Sequence, residues 1–149
     1  MRKVVFIDGV RTPFLKFGTD YMDLMSYQLG QFAIKGLLDK TGIDPNEIDR
    51  VILGNVISNV RTENVAREAA ITAGIPVKAP ANTVKQACIS ANQAICNAVD
   101  SIQLGRADVI VSGGTENTSD TPIGYTKEMR KKLFAAQKIS KPMDYAKFA

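Results

Sequence analysis

Four short strand-like segments, three of them apolar runs, separated by stretches with helical periodicity, constrain this chain more than any other feature of its sequence. Val4 to Ile7 is continuous and ends at Asp8-Gly9. Val51 to Ile57 is broken only by Gly54-Asn55. Asn82 to Ala87 reads as a third short strand, though a more polar one, and Ala107 to Val111 runs into Ser112-Gly113-Gly114. Continuous apolar runs of this length mark strands buried on both faces, as in a parallel sheet. Between the first two, Leu24, Tyr27, Ala33 or Ile34, Leu37 and Leu38 recur at spacings near 3.6, predicting a helix from Asp23 to Lys40. Asp23 is its expected cap, Gly42 lies just past its end, and Asp44-Pro45-Asn46 forms a turn. A second helix is expected from Thr62 to Ala73, capped by Thr62 or Asn64 and stopped by Gly74 and Pro76. A third runs from Cys88 to Leu104 and ends at Gly105.

The order β-α-β-α-β-α-β predicts an α/β fold, with a mostly parallel sheet covered by helices on both faces and right-handed crossovers. The Cys88–Leu104 helix is rich in small residues and uncharged until Asp100, with Ala91, Ala94, Ile95, Ala98 and Ile102 on one side. A helix without a charged face is expected to be buried all round. Its outer cover is expected from a partner or from sequence beyond this chain.

Length and charge narrow the function classes. At 149 residues the chain suits one domain, or one half of a duplicated protein. Two cysteines are too few for a disulfide framework. The chain has no histidine, so the usual general base and the commonest metal ligand are both missing. No set of acids and cysteines has metal-ligand spacing. The net charge of +4 is not spread evenly. Residues 127–149 hold seven Lys or Arg against two acids, whereas residues 1–126 hold 12 basic and 13 acidic groups. A nucleic-acid footprint spread over a face is therefore not expected. The basic tract Lys127 to Ala136, with Met129, Leu133 and Phe134, predicts a loosely amphipathic helix that Lys141-Pro142 ends. It reads as a solvated face, or as a helix that docks on a membrane surface or partner. The apolar run after Met1-Arg2-Lys3 is too short for a signal peptide, so a cytoplasmic protein is expected.

Cys88 falls where a strand meets a helix. A helix N-terminus favours a thiolate and offers N–H groups that can hold an oxyanion. The alternative is a buried, inert cysteine that packs as a small apolar group. Cys96 lies about 12 Å further along the same helix, too far for a disulfide, and reads as structural. Ser112-Gly113-Gly114-Thr115-Glu116 lacks the spacing of a dinucleotide fingerprint and reads as a tight turn packed close to Cys88. Asp8, Asp49 and Asp108 suit turn and capping roles beside strands.

Assembled, these segments resemble the thiolase family. Asp8-Gly9-Val10-Arg11-Thr12-Pro13, Gly54-Asn55-Val56 and Asn64-Val65-Ala66-Arg67-Glu68-Ala69-Ala70 are similar to its opening. Thr83 to Ala94, with Ala87-Cys88-Ile89-Ser90-Ala91-Asn92-Gln93-Ala94, is similar to the segment around its nucleophile. Ser112-Gly113-Gly114-Thr115-Glu116-Asn117-Thr118-Ser119 resembles its Gly-Gly-x-Glu-x-Met-Ser motif. The likeness runs over essentially the whole chain, in order. Its Ala-Cys-Ile-Ser-Ala-Asn-Gln-Ala form, with Ser119-Asp120-Thr121-Pro122-Ile123, most resembles the β-subunit thiolases of trifunctional fatty-acid-oxidation complexes.

The resemblance implies the N-terminal half of a five-layered αβαβα fold: residues 1–125 as the half-domain and 126–149 as the start of a basic loop insertion. It implies an acyltransferase in which Cys88 takes an acyl group from a 3-ketoacyl-CoA and passes it to coenzyme A, or runs the reverse Claisen condensation. Coenzyme A thioesters would be substrates, with no cofactor or metal. The complete protein would be a homodimer or tetramer, and the basic segment would approach a membrane or partner subunit. Two departures stand out. The family's histidines and second cysteine have no counterpart here, since Cys96 falls in the wrong half, so an incomplete half with little turnover of its own is expected. Thr118 replaces the motif's Met. Two other readings remain beside this one: a non-catalytic acyl-CoA- or lipid-binding relative, and a membrane- or partner-docking module.

Overall fold

The computed structural model describes residues 2–137. Helix α1 (Ser26–Thr41) ends where a left-handed Gly42 donates its N–H to the Leu38 carbonyl at 2.8 Å, as expected of glycine past a helix end. Its start differs from expectation. Met25, not Asp23, precedes the first turn, and its N–H donates to Gln28 Oε1 at 2.8 Å. A 3₁₀ turn (Pro45–Glu47) capped by Asp44 leads into β1 (Arg50–Gly54). Helix α2 (Val65–Thr72) begins at Asn64, whose Oδ1 accepts from Arg67 N–H. Strand β2 (Ala81–Val84), helix α3 (Ser90–Gln103) and strand β3 (Ile110–Gly114) follow. A second 3₁₀ turn (Thr118–Asp120) and α4 (Lys127–Ala136), capped by Thr126, complete the order.

The three strands form one parallel sheet in the order β2-β1-β3. Alternation along β1 divides the core: Val51 and Leu53 face α1 and α2, while Ile52 faces α3 with Ala94 and Ala98. Helices thus cover both faces, as the β-α alternation predicts.

Three expectations are corrected. Val4–Ile7 is not a strand. It runs without ladder partners, and Val5, Phe6 and Ile7 are 65%, 77% and 69% exposed. Arg2 pairs with Asp108 and Lys40 with Asp8 (2.8 Å), so the segment is held at its ends. It borders a cavity of about 380 Å³ whose other walls include Leu37, Ile48, Ile95, Val99 and Val109 to Ser112. An apolar run encodes burial but not a partner, and no described residue fills the gap beside β3.

The third helix begins at Ser90, not at Cys88, and the described residues supply no cover for its outer side, a cover the sequence reading assigned to a partner or to sequence beyond this chain. Ala94, Ala98 and Ser101 face the sheet, whereas Asn92, Cys96 and Asp100 are exposed on its outer side. Cys96 is therefore a surface thiol and not a packed one. Lastly, Ser112-Gly113-Gly114 does not follow the last strand but forms its end. The helix stop expected at Lys141-Pro142 lies outside the described residues.

Candidate active site

Two glycines set the geometry at the carboxyl ends of the strands. Gly54 and Gly114 are register partners at the ends of β1 and β3. A Cβ on Gly54 would lie 2.3 Å from the Ala91 nitrogen, and one on Gly114 would lie 2.7 Å from the Ala91 Cβ. Only glycine lets the first turn of α3 rest directly on these strands. This agrees with the expectation that the Gly-Gly segment packs close to the Cys88 turn.

That turn spans residues 85–89. Ser90, 3% exposed, closes it: its Oγ donates to the Ala87 carbonyl at 2.7 Å and accepts from Gln86 N–H at 2.8 Å. Ser90 N–H also donates to Ala87 O at 3.1 Å. Ala87 has φ +49°, the one positive φ among described non-glycine residues. A left-handed non-glycine residue costs on the order of 1–2 kcal/mol and persists where its surroundings hold it. Cys88, next in sequence, is exposed. It stands two residues before the helix instead of opening it.

Cys88 lines a cavity of about 470 Å³. The structure brings to this cavity the motifs that lie far apart in sequence: Val10 to Leu15, Gly54 to Val56, Ala87 with Cys88, and Gly114 to Ser119. Within the Val10–Leu15 wall, Arg11 lies over the Phe14 ring at 5.0 Å, close enough for a cation–π contact. Cys96 is not part of this cavity.

Sequence reasoning singled out the Gly-Gly-Thr-Glu-Asn stretch but assigned no role to its acid and amide. Glu116 Oε2 accepts the Val56 and Ile57 N–H groups at 2.7 and 3.0 Å, and its Oε1 accepts Asn55 Nδ2 at 3.0 Å and Ser26 Oγ at 3.4 Å. Asn117 donates Nδ2 to the Tyr21 and Leu24 carbonyls at 2.8 and 2.5 Å. Asn55 is 2% exposed; its Nδ2 also reaches Thr115 O, while its Oδ1 has no partner. The available signal was an acid and an amide immediately after a strand of small residues, where side chains can take up backbone groups that leave a ladder.

The family described as Thiolase, N-terminal domain, matches residues 4–146. The chain belongs to this thiolase family. It is 51% identical over 138 residues to the human mitochondrial trifunctional enzyme subunit beta, covering 93% of this chain and 29% of that protein. To a probable 3-ketoacyl-CoA thiolase of Caenorhabditis elegans it is 44% identical over 138 residues, with 93% and 31% covered. The solved Bacillus anthracis acetyl-CoA acetyltransferase superposes with a TM-score of 0.77 at 34% identity, over 80% of this chain and 30% of that one. This thiolase domain therefore spans under a third of the length of these relatives.

Proposed function

We propose that the chain is the nucleophile-bearing N-terminal part of a thiolase-type acyltransferase acting on 3-ketoacyl-CoA. In this reading the Cys88 thiolate adds to the 3-keto carbon, and a Cys88 N–H helps hold the resulting oxyanion. The bond between carbons 2 and 3 then breaks. Carbon 2 leaves as the enolate of acetyl-CoA and takes a proton from an acid, while the acyl group stays on sulfur. Coenzyme A thiol, deprotonated by a base, then displaces Cys88 and carries the acyl group away. The acid and base of this reading are the histidine and second cysteine that the resemblance implies; these 149 residues hold no histidine, and Cys96 lies outside the Cys88 cavity. Coenzyme A is a substrate here, and no resident cofactor is invoked.

The observation that carries the reading is the placement of an exposed cysteine in a 470 Å³ cavity, on a turn held in a left-handed conformation at a strand–helix junction. Exposure counts against the inert, packed alternative. Incubation of the full-length protein with acetoacetyl-CoA is expected to leave an adduct of about 42 Da, one acetyl group, on the peptide containing Cys88. Cys88→Ser is expected to lower thiolysis by at least about 1,000-fold. An adduct on Cys96, or none, would instead favour a non-catalytic acyl-CoA- or lipid-binding protein.

Helix α4 favours an additional docking role. Its cations and its apolar Met129, Leu133 and Phe134 are all exposed, which suits an anionic membrane surface or an acidic partner.

A further inference from the structure

We infer that Glu116 is a positioning residue for Cys88, acting through the glycine seat of α3; this rests on the acyl-transfer reading above. The carboxylate is half-buried and makes no ion pair among the described residues. Its four donors come instead from the exit of β1 (Asn55 Nδ2, Val56 N–H, Ile57 N–H) and from Ser26 at the start of α1. Glu116 itself sits two residues past the end of β3. One side chain therefore ties the ends of two neighbouring strands together.

Those strand ends are where α3 is seated. Gly54 precedes the clamped residues Asn55 to Ile57 and lies directly against the backbone of Ser90 and Ala91. Ser90 in turn closes the turn around Ala87 and Cys88 through three hydrogen bonds. A movement of the 55–57 backbone cannot be absorbed at Gly54, because no free space separates it from α3. It passes through Ala91 and Ser90 to the cysteine. Asn55 marks the same junction. Its Nδ2 donates to two acceptors, Thr115 O and Glu116 Oε1, so its amide cannot be reversed to satisfy the buried Oδ1 without losing both. The pair is thus fixed in one orientation.

Glu116→Gln tests this because it conserves volume yet replaces one acceptor oxygen with a donor. Its NH2 must face either the Val56 and Ile57 N–H groups or Asn55 Nδ2, and donor then opposes donor. In the full-length protein we expect kcat, normalised to the fraction of Cys88 that iodoacetamide can alkylate in folded protein, to fall about 10–100-fold. KM for the acyl-CoA should stay within about twofold, since the cavity walls are retained. A side chain that only stabilises the fold would lower the melting temperature and leave normalised kcat unchanged; that result overturns the inference. Should Glu116→Gln not fold, Asn55→Ala is read on the same split, and normalised kcat within about twofold of the parent again overturns it. The parent protein separates the two proposals. A Cys88 adduct in the parent together with full kcat in the variant sinks the positioning role alone. Absence of any Cys88 adduct in the parent removes the acyl-transfer reading and this inference with it.

Discussion

Asp49 and Glu116 show at single-residue scale how this chain uses carboxylates: neither forms an ion pair among the described residues, and each collects backbone N–H groups at a strand end. Asp49 Oδ2 accepts from Asp108 N–H at 2.7 Å and Val109 N–H at 3.0 Å, joining the start of β1 to the approach of β3. The Val109 N–H, and after it the Asp108 N–H, hold the Asp49 carboxyl below its ordinary value of 3.8. A depressed carboxyl stabilises the folded state above its unfolded pKa, and this contribution is lost as pH falls through the lower, folded value. Asp49→Asn keeps one acceptor oxygen but loses the charge; because the carboxyl is exposed and screened by solvent, we expect a cost below about 1 kcal/mol at pH 7. Urea unfolding at pH 7 and at pH 3 checks this: the gap between parent and variant should narrow in acid, and a gap that widens contradicts the assignment. Neither role was legible: the turn or capping role expected of Asp49 is replaced by a cross-strand one, and for both carboxylates the backbone donors lie some sixty residues away in the chain, where nothing in the spacing announces them.

At the scale of elements, the C-terminal ends of helices were the most legible feature and strand partners the least, while the starts of α1 and α3 lie two or more residues past the expected ones. Gly42, Asn64 and the Lys127–Ala136 tract behave as read, because caps and periodicity act over a few residues. The Val4–Ile7 run has a strand's composition, yet pairing needs a neighbour that no short window of sequence specifies. The same reason explains the shorter β1 and the shifted β3. Val56 and Ile57 leave the ladder because Glu116 takes their N–H groups, whereas Asn55 N–H still donates to Val84 O at 3.1 Å, and Ser112 to Gly114 remain in the ladder because β1 pairs with them. Helix α3 depends on its glycine seat more than on its own propensity. Gly54→Ala is expected to destabilise the fold by about 1–3 kcal/mol or more, since the new methyl meets backbone atoms and not a flexible side chain. Gly36→Ala, in open space within α1, serves as the control and should be neutral or mildly stabilising. Equal melting temperatures for Gly54→Ala and the parent would contradict the seat.

The charge asymmetry belongs to the molecule as a whole. A nearly neutral body carries a basic extension from Lys127 onward, and none of the residues of α4 is buried. If this extension docks on an anionic surface, the chain should co-sediment with phosphatidylserine-containing vesicles at low ionic strength. It should release as salt rises and the Debye length shrinks to about 8 Å. Removing residues 126–149 should abolish the binding; binding that survives the deletion excludes α4 as the docking element.

Taken by itself, the sequence settled what is local: the last three strands and the helices between them, the C-terminal helix ends, the strand–helix junction that holds Cys88 and the placing of the positive charge. Periodicity, capping and charge act between residues a few positions apart and are written into short windows. Tertiary structure decided which apolar run pairs, that Gly54 and Gly114 lie side by side beneath α3, and that Glu116 ties the strand ends below the cysteine. Those facts depend on contacts between residues tens of positions apart. Such contacts arise from register and close packing, which an isolated segment does not encode.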